Sequence, residues 1–502
     1  MSIAELVLAG LDRRGVAPAM IDGVSGEVVT AAELAHRIRA LAGGLARDGI
    51  AGRTVAVMSP NSPDYPVAMH GPMLAGATVT TVNPSYTVDE VRYQLTDSGA
   101  SLVIVHPAFL ETARAAAEGT GVVRIATTLA APGHPSIADL SGPPLARQAA
   151  MDLANDTAVI PYSSGTTGLP KGVMLTHRSL VANILQTVEV KKIGAGETTL
   201  AVLPFFHIYG MQILVNLYLS QGAALVTLPR FDLEALLRLT AAHRFERLFV
   251  VPPVILALAK HPVVDQHDLS SLRYVNSAAA PLGAELAQAC TARIGCPVVQ
   301  GYGMTELSPV THISDGAGFR PGAVGKLIPM TEMRLVDPVT GGDCPEGGEG
   351  EVWIRGPQVM KGYLNRPDAT AAMVDGEGWL RTGDIGAVDA DGFLFIRDRL
   401  KELIKVKGFQ VAPAEIEALL LTHPGIADCA VVGRADEEAG EVPVAHVVAV
   451  KGRLLEEGEV KAHVARALAT YKHLAEVRFV EAIPKSPSGK ILRRLLRDAA
   501  RV

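Results

Sequence analysis

The 502-residue chain is expected to fold as an α/β protein. The expected architecture is a large N-terminal domain of two doubly wound parallel sheets with a small β-barrel-like subdomain, followed by a small α+β C-terminal domain. Three observations carry this expectation. Short Val-rich runs alternate twice with helical segments of about ten to fifteen residues, the signature of parallel β-α-β units. After Gly303 the texture changes to strands punctuated by Gly and Pro. The last hundred or so residues mix helices and strands in one compact unit.

The first block runs from a strand at 54–58 through a helix at 64–75, a strand at 77–82, a helix from Val88 and a strand at 101–105. The second begins at 158–160 and continues with strands at 200–203, 224–228, 247–251, 273–275 and 298–300, which predict a second parallel sheet. Runs at 332–336, 350–356 and 392–396 suit a small, mainly antiparallel barrel or sheet. The charged stretch 397–402 that follows is read as a solvated turn or a domain linker. Beyond it, Pro413 opens a helix with Ile416, Leu419 and Leu420 on one face. Strands follow at 429–432 and 445–450. A second helix carries Val460, Val464, Ala467, Leu468 and Tyr471, a strand lies at 477–480, and a basic helix follows a Ser-Gly-Lys490 start.

Composition narrows the function classes. Hydrophobic residues make up 48% and charged residues 20%, the profile of a globular enzyme and not of a disordered chain. A net charge of -6 gives no global attraction to nucleic acid or to an anionic membrane, so a polyanionic ligand needs a local site. Cys290, Cys296, Cys344 and Cys429 form no C-x-x-C pair and read as reduced thiols of a cytoplasmic protein. The first residues lack a basic region before an apolar run, so no secretory signal is read. The apolar segment 210–229 contains Gln212, Asn216, Ser220 and Gln221, and divides better into a helix and a strand than into a membrane span.

The most informative stretch is Ser163-Ser164-Gly165-Thr166-Thr167-Gly168-Leu169-Pro170-Lys171-Gly172. Hydroxyl side chains and backbone N–H groups on a loop made supple by two glycines, with a lysine close behind, suit a phosphate. The Walker spacing is absent, since the glycines are too close and Gly172 follows the lysine. Alone, such a loop also suits a surface turn. Further stretches accompany it in order: 301–306 (Gly-Tyr-Gly-Met-Thr-Glu), 350–356 (Gly-Glu-Val-Trp-Ile-Arg-Gly), 379–384 (Trp-Leu-Arg-Thr-Gly-Asp), 398–405 (Asp-Arg-Leu-Lys-Glu-Leu-Ile-Lys) and 484–490 (Pro-Lys-Ser-Pro-Ser-Gly-Lys).

Over nearly its whole length the chain resembles the acyl-adenylate-forming superfamily of acyl-CoA synthetases, peptide-synthetase adenylation domains and beetle luciferases. It is most similar to the 4-coumarate:CoA ligase branch. The resemblance implies a ligase that joins a carboxylic acid to ATP, releases pyrophosphate, and passes the acyl group to CoA with loss of AMP. It implies an N-terminal domain over 1–397 with its β-rich part at 304–397, a hinge at 398–401 with Lys401 at its turning point, and a mobile C-terminal domain over 402–502. Residues 163–168 and Lys171 would hold the β- and γ-phosphates, Thr305 the α-phosphate, and Glu306 a Mg²⁺ ion. Ala279, Gln300, Gly301, Tyr302 and Ile396 would line the nucleotide, with Tyr302 stacking on adenine, while Asp384 and Arg399 would meet the ribose. Lys490 would bridge the carboxylate and α-phosphate oxygens in the first step. Lys405 and Gln410 would serve thioester formation.

By the same resemblance His207 gates the acid, and Tyr209, Ile213, Asn276, Ala278, Gly303, Pro309 and Val310 line its pocket. The chain departs from the branch at three positions. Val406 stands where many relatives have an aromatic residue, Ala278 replaces a glycine, and Ile213 occupies a position that is usually small and polar. The last two make the pocket more apolar and point to a hydrophobic acid: a cinnamate-type, medium-chain fatty, alicyclic or terpenoid acid. Other readings within the resemblance are an adenylating enzyme serving a carrier protein or separate ligase, a luciferase-type oxygenase, and a nucleotide sensor. Neither a nucleic-acid partner nor stable membrane association is expected, and the sequence does not give the oligomeric state.

Overall fold

The computed structural model describes residues 1–163, 169–316, 319–407, 409–436, 438–486 and 489–499. Val-rich strands build a seven-stranded sheet whose centre is parallel, in the order Thr157–Ser163, Thr78–Val82, Thr54–Met58, Ala100–Val105, Arg124–Thr127. The winding reverses about Thr54–Met58, and helices cover both faces, which is why these strands are almost continuously apolar. The helix Val88–Ser98 starts with a capping box in which the Thr87 hydroxyl accepts from the Glu90 N–H and the Glu90 carboxylate accepts from the Thr87 N–H. Strand Lys171–Thr176 adds antiparallel to Thr157–Ser163, and Gly362–Tyr363 adds antiparallel to that. A residue pair from far along the chain thus borders the 163–171 hairpin.

Of the second β-α-β block, the strand expected at 158–160 joins the first sheet instead, beside Thr78–Val82, and the rest forms two parallel groups, not one sheet. Thr198–Ala201, Ala224–Thr227 and Pro18–Asp22 form one, edged by antiparallel Val28–Thr30; Arg247–Val250, Tyr274–Ser277 and Val298–Gln300 form the other. Between them a side chain replaces a ladder bond, the Thr199 hydroxyl donating to the Arg247 carbonyl at 2.7 Å. Pro18–Asp22 escaped the sequence pattern because a proline and an aspartate interrupt its apolar run. Segment 210–229 is a π-helical turn, a short helix and a strand, all buried. Gln212 donates to the Leu180 carbonyl, and Asn216 donates to Gln212. Among the described residues no helix is long and apolar enough to cross a membrane.

Past Gly303 the expected antiparallel unit is present as Glu332–Val336, Glu349–Arg355, Leu380–Val388 and Leu394–Arg399. Its last strand pairs Arg399 with Asp384, so the charged residues 397–399 are strand and the chain turns only at 400. The C-terminal unit centres on the hairpin Ile426–Asp436 and Gly440–Ala449, flanked by Ile404–Val406 with Phe409–Val411 and by parallel Glu476–Phe479. Two expectations are corrected there. The helix Glu457–Ala467 ends before Leu468 and Tyr471, and Tyr471 stacks on Phe409 with ring centroids 4.6 Å apart. Lys490 does not start a helix, because the helix begins at Arg493. Lys490 instead sits in a loop closed by Ser486 N–H to Lys490 carbonyl, 2.8 Å, and Lys490 N–H to Ser486 hydroxyl, 3.1 Å.

Candidate active site

The expected nucleotide and acid residues converge where the carboxyl ends of the parallel strands meet the β-rich unit and the C-terminal domain. The hairpin places Ser163 opposite Lys171. Ser164, Gly165, Thr166, Thr167 and Gly168 lie outside the described residues. At its mouth sits Glu306, on a single helical turn, Thr305–Leu307, and only 5% exposed. One oxygen of its carboxylate accepts from the Ser163 hydroxyl at 3.1 Å and from the Tyr363 hydroxyl at 2.7 Å. The Lys171 ammonium lies 4.2 Å over the Tyr363 ring. Tyr363 was not singled out from the sequence, although it forms part of the Lys-Gly-Tyr-Leu run at 361–364. It ties Lys171 to the buried carboxylate.

The Tyr302 hydroxyl donates to Asp384 Oδ2 at 2.5 Å, and Arg399 Nε lies 3.4 Å from Asp384 Oδ1. Burial raises the Asp384 pKa, opposed by Arg399 and by the Tyr302 hydrogen bond. Tyr302 is therefore fixed by its hydroxyl, with His312 tilted beside its ring at 5.9 Å. Ile396 packs in the same cluster as Tyr302 and Met304. Gln300 is buried and donates to the Leu282 carbonyl. Ala279 holds a φ of 73°, an unfavourable region for alanine of the sort that collects at binding sites.

A cavity joins this cluster to the residues expected to line the acid pocket. His207, Tyr209, Ile213, Asn276, Ala278, Gly303, Pro309 and Val310 all line it, together with Ala279, Gly301, Tyr302, Thr305 and Lys490. Backbone closeness fixes one of these residues: a Cβ on Gly303 would lie 1.8 Å from the Pro309 carbonyl oxygen. Gly303→Ala should therefore shift the wall, lowering the melting temperature by several degrees and raising KM for the acid, measured by thermal melt and saturation kinetics. His207 accepts the Tyr209 N–H at Nδ1, and burial with nearby Lys490 pushes its pKa down to about 3, so the ring is neutral.

Lys490 enters from the C-terminal domain. Burial lowers its pKa and Arg399 adds to that shift, against Glu306 and Asp384. Gly489 turns at φ 80°, and a Cβ there would press on Val251 and Pro253, so the loop lies flat against the N-terminal domain. Lys405 and Gln410 are register partners on the hairpin Ile404–Val406 and Phe409–Val411, both exposed, and neither lines the cavity. Lys401 is exposed beside Glu402, whose carboxylate is held by Arg493 at 3.0 Å.

The sequence reading missed Lys191, Thr187, Phe249, Met304 and Ile313 in the cavity lining. Lys191 alters the expectation of an all-apolar pocket, because it is 3% exposed and its ammonium donates to Asn276 Oδ1 at 2.9 Å and to the Ser314 carbonyl at 2.6 Å. A signal for it existed. Leu180, Ile184, Thr187 and Lys191 are spaced at four, seven and eleven residues and share the buried face of the helix His177–Lys191.

Known proteins show the same organisation. The AMP-binding enzyme family matches residues 9–364, and the AMP-binding enzyme C-terminal domain matches 415–490. The chain is 44% identical to 4-coumarate--CoA ligase 5 of Oryza sativa subsp. japonica over 97% of its own length and 92% of the relative's. It superposes on an anthranilate CoA ligase, AuaEII, in complex with anthranoyl-AMP with a TM-score of 0.92 at 26% identity, over 100% of this chain and 97% of that one. ATP-bound MatB from Rhodopseudomonas palustris gives 0.90 at 30% identity, covering 100% and 99%, whereas apo MatB at the same identity and coverage gives 0.80. The arrangement of the chain is thus nearer to the ATP-bound form of that enzyme than to its apo form. The chain belongs to the AMP-binding enzyme family.

Proposed function

We propose that the chain is an acid:CoA ligase that forms AMP. A carboxylate oxygen of the acid attacks the α-phosphorus of ATP, the acyl–phosphate bond forms, and the bond to pyrophosphate breaks. The CoA thiolate then attacks the acyl carbon, a thioester forms, and AMP leaves. The observation that carries this reading is that Lys490, from one domain, shares a cavity with Thr305, His207 and the acid pocket of the other, beside Glu306 and Asp384.

The first step gathers an anionic nucleophile, electrophile and leaving group, so charge compensation dominates its cost. Lys490 would meet the carboxylate and α-phosphate oxygens, Thr305 the α-phosphate, and Ser163 and Lys171 the leaving pyrophosphate. Asp384 and Arg399 would hold the ribose. The neutral His207 would order the acid without adding charge.

The donor set suits Mg²⁺. Among the described residues no group of three or more His, Cys, Asp or Glu could hold a metal, so the protein offers Glu306 and leaves the other positions to phosphate and water, as Mg²⁺ prefers. When bound, the ion would neutralise phosphate charge. Tyr363 would orient the Glu306 carboxylate toward it. Tyr363→Phe is expected to raise the Mg²⁺ concentration for half-maximal pyrophosphate exchange about tenfold while leaving KM for the acid within about twofold. An unchanged Mg²⁺ requirement would remove Tyr363 from this role.

The relatives' activity supports an acid of arylpropenoic size with an apolar body resting on Ile213 and Ala278. Pyrophosphate exchange with ATP and a panel of aryl and alkyl acids tests the first step. Thioester formation with free CoA, with and without added carrier protein, tests the second. Failure of exchange with every acid would overturn the reading.

A further inference from the structure

The helix Val88–Ser98 carries Tyr93 and Asp97 one turn apart, beside the strands that end at Ser163 and resume at Lys171. The Tyr93 hydroxyl donates to the Pro170 carbonyl at 2.9 Å. That carbonyl belongs to the peptide bond that opens Lys171, so the contact fixes where the lysine begins. Tyr93 also meets Tyr162 edge to face, with ring centroids 6.3 Å apart and planes at 83°. The Tyr162 hydroxyl donates in turn to Asp97 Oδ2 at 2.7 Å. Burial, with the Asp97 carboxylate adding to it, raises the Tyr162 pKa, so this hydroxyl keeps the proton it donates. The Tyr162 ring lies across Gly172, where a Cβ would stand 3.1 Å from Cζ and 3.2 Å from the hydroxyl oxygen. One helix thus sets both neighbours of Lys171, Pro170 through Tyr93 and Gly172 through the ring that Asp97 holds.

Asp97 does nothing for its own helix. It is an acid in the last turn, against the helix dipole, and no basic residue accompanies it there. Its partners come from elsewhere. Arg366 Nη2 donates to Asp97 Oδ1 at 3.4 Å, and the Asn365 amide donates to the Asp97 backbone carbonyl at 3.2 Å. Just before them in the chain, Tyr363 binds Glu306, and the Leu364 N–H donates to the Gly172 carbonyl at 2.8 Å. Residues 363–366 and the helix Val88–Ser98 therefore hold the same short stretch of backbone and are joined to each other through Asp97. The ammonium that this stretch carries stands over the Tyr363 ring.

We propose that Tyr93 and Asp97 are positioning residues for the pyrophosphate end of ATP, acting by fixing Lys171. This rests on the ligase reading above, in which Lys171 meets the leaving pyrophosphate. A lysine side chain is long and flexible, so a shift at its root moves the charge at its tip away from the phosphate it compensates. The effect is confined to steps in which that phosphate is present. Attack of CoA on the acyl-adenylate involves no pyrophosphate and lies outside the reach of the pair.

The test uses Tyr93→Phe, which keeps the ring and removes the hydroxyl. It is expected to raise KM for pyrophosphate and for ATP in exchange about fivefold, and to leave KM for the acid and thioester formation from presynthesised acyl-adenylate within about twofold. Asp97→Ala, which frees Tyr162 and Arg366 together, should raise the same two constants about tenfold. Lys171→Ala should raise them about thirtyfold or more, and adding Tyr93→Phe to it should change them by less than about twofold, because the group being positioned is gone. Effects that multiply in the double variant would show that Tyr93 does not act through Lys171 and would overturn the proposal. Unchanged constants for pyrophosphate and ATP in Tyr93→Phe would overturn it too, whether or not Asp97→Ala folds, as would equal slowing of thioester formation. Constants indifferent to Lys171→Ala, or absence of exchange with every acid in the wild type, would instead overturn the reading beneath it, and this inference with it.

Discussion

Lys490→Ala is expected to lower ATP–pyrophosphate exchange by a hundredfold or more while leaving conversion of presynthesised acyl-adenylate and CoA to the thioester nearly intact. The size follows from removing one preorganised cation, worth about 3 kcal/mol or more where charge develops. Glu306 and Asp384 remain after the substitution, so the site would keep its negative charge and lose the lysine that offsets it. Arg399 cannot substitute, because its guanidinium is engaged with Asp384. The fold should tolerate the change: the Lys490 loop is held by bonds from the Lys490 backbone to the Ser486 N–H and hydroxyl and by the fit of Gly489 against Val251, and none of these needs the ammonium. Melting temperature is therefore expected to stay put while exchange collapses. Equal loss in both half-reactions would show that Lys490 supports the site as a whole and does not belong to one step.

Much of the candidate site was legible because its parts are local in sequence. Ser163 and Lys171 pair across one antiparallel ladder, Thr305 and Glu306 share one helical turn, and Asp384 and Arg399 face each other across one hairpin. Such signals survive without knowledge of the fold. What escaped depends on long-range placement. Tyr363 reaches Glu306 only because Gly362–Tyr363 adds to the edge strand Lys171–Thr176, a pairing that local pattern does not encode. Lys191 was hidden for another reason: a lysine at a helix end normally faces water, and that expectation overrode a helical phase that pointed inward. Where the second sheet divides, the Thr199 hydroxyl bonds sideways to the Arg247 carbonyl, a side-chain contact that strand periodicity does not signal. Pro18–Asp22 likewise joins the sheet by pairing in parallel with the distant Ala224–Thr227.

Lys405→Ala is expected to show the reverse pattern, with pyrophosphate exchange preserved within about twofold and thioester formation from acyl-adenylate slowed about a hundredfold. In the arrangement seen here Lys405 is exposed and lies outside the cavity that Lys490 lines, so it has no means of helping the first step. It can act only if the C-terminal domain turns about the stretch near Lys401 and withdraws Lys490 as it brings the 404–411 hairpin inward. The contacts described between the domains suit such a motion. Lys260 donates to the Leu421 and Ile426 carbonyls at 3.2 and 3.4 Å, Gly283 packs closely on Ala418, and Gly489 leans on Val251. These are small and partly polar contacts, the kind that permits domain movement. Within the moving part, Arg493 binds both Glu402 and Glu417, so the segment just after Lys401 would travel with the C-terminal core. A disulfide engineered across the closed contact, Gly283→Cys with Ala418→Cys, should therefore reproduce the Lys405→Ala phenotype when oxidised and release it on reduction. Full thioester activity with the bond closed would mean that both half-reactions proceed in one arrangement, and Lys405 would have to act from the surface where it stands.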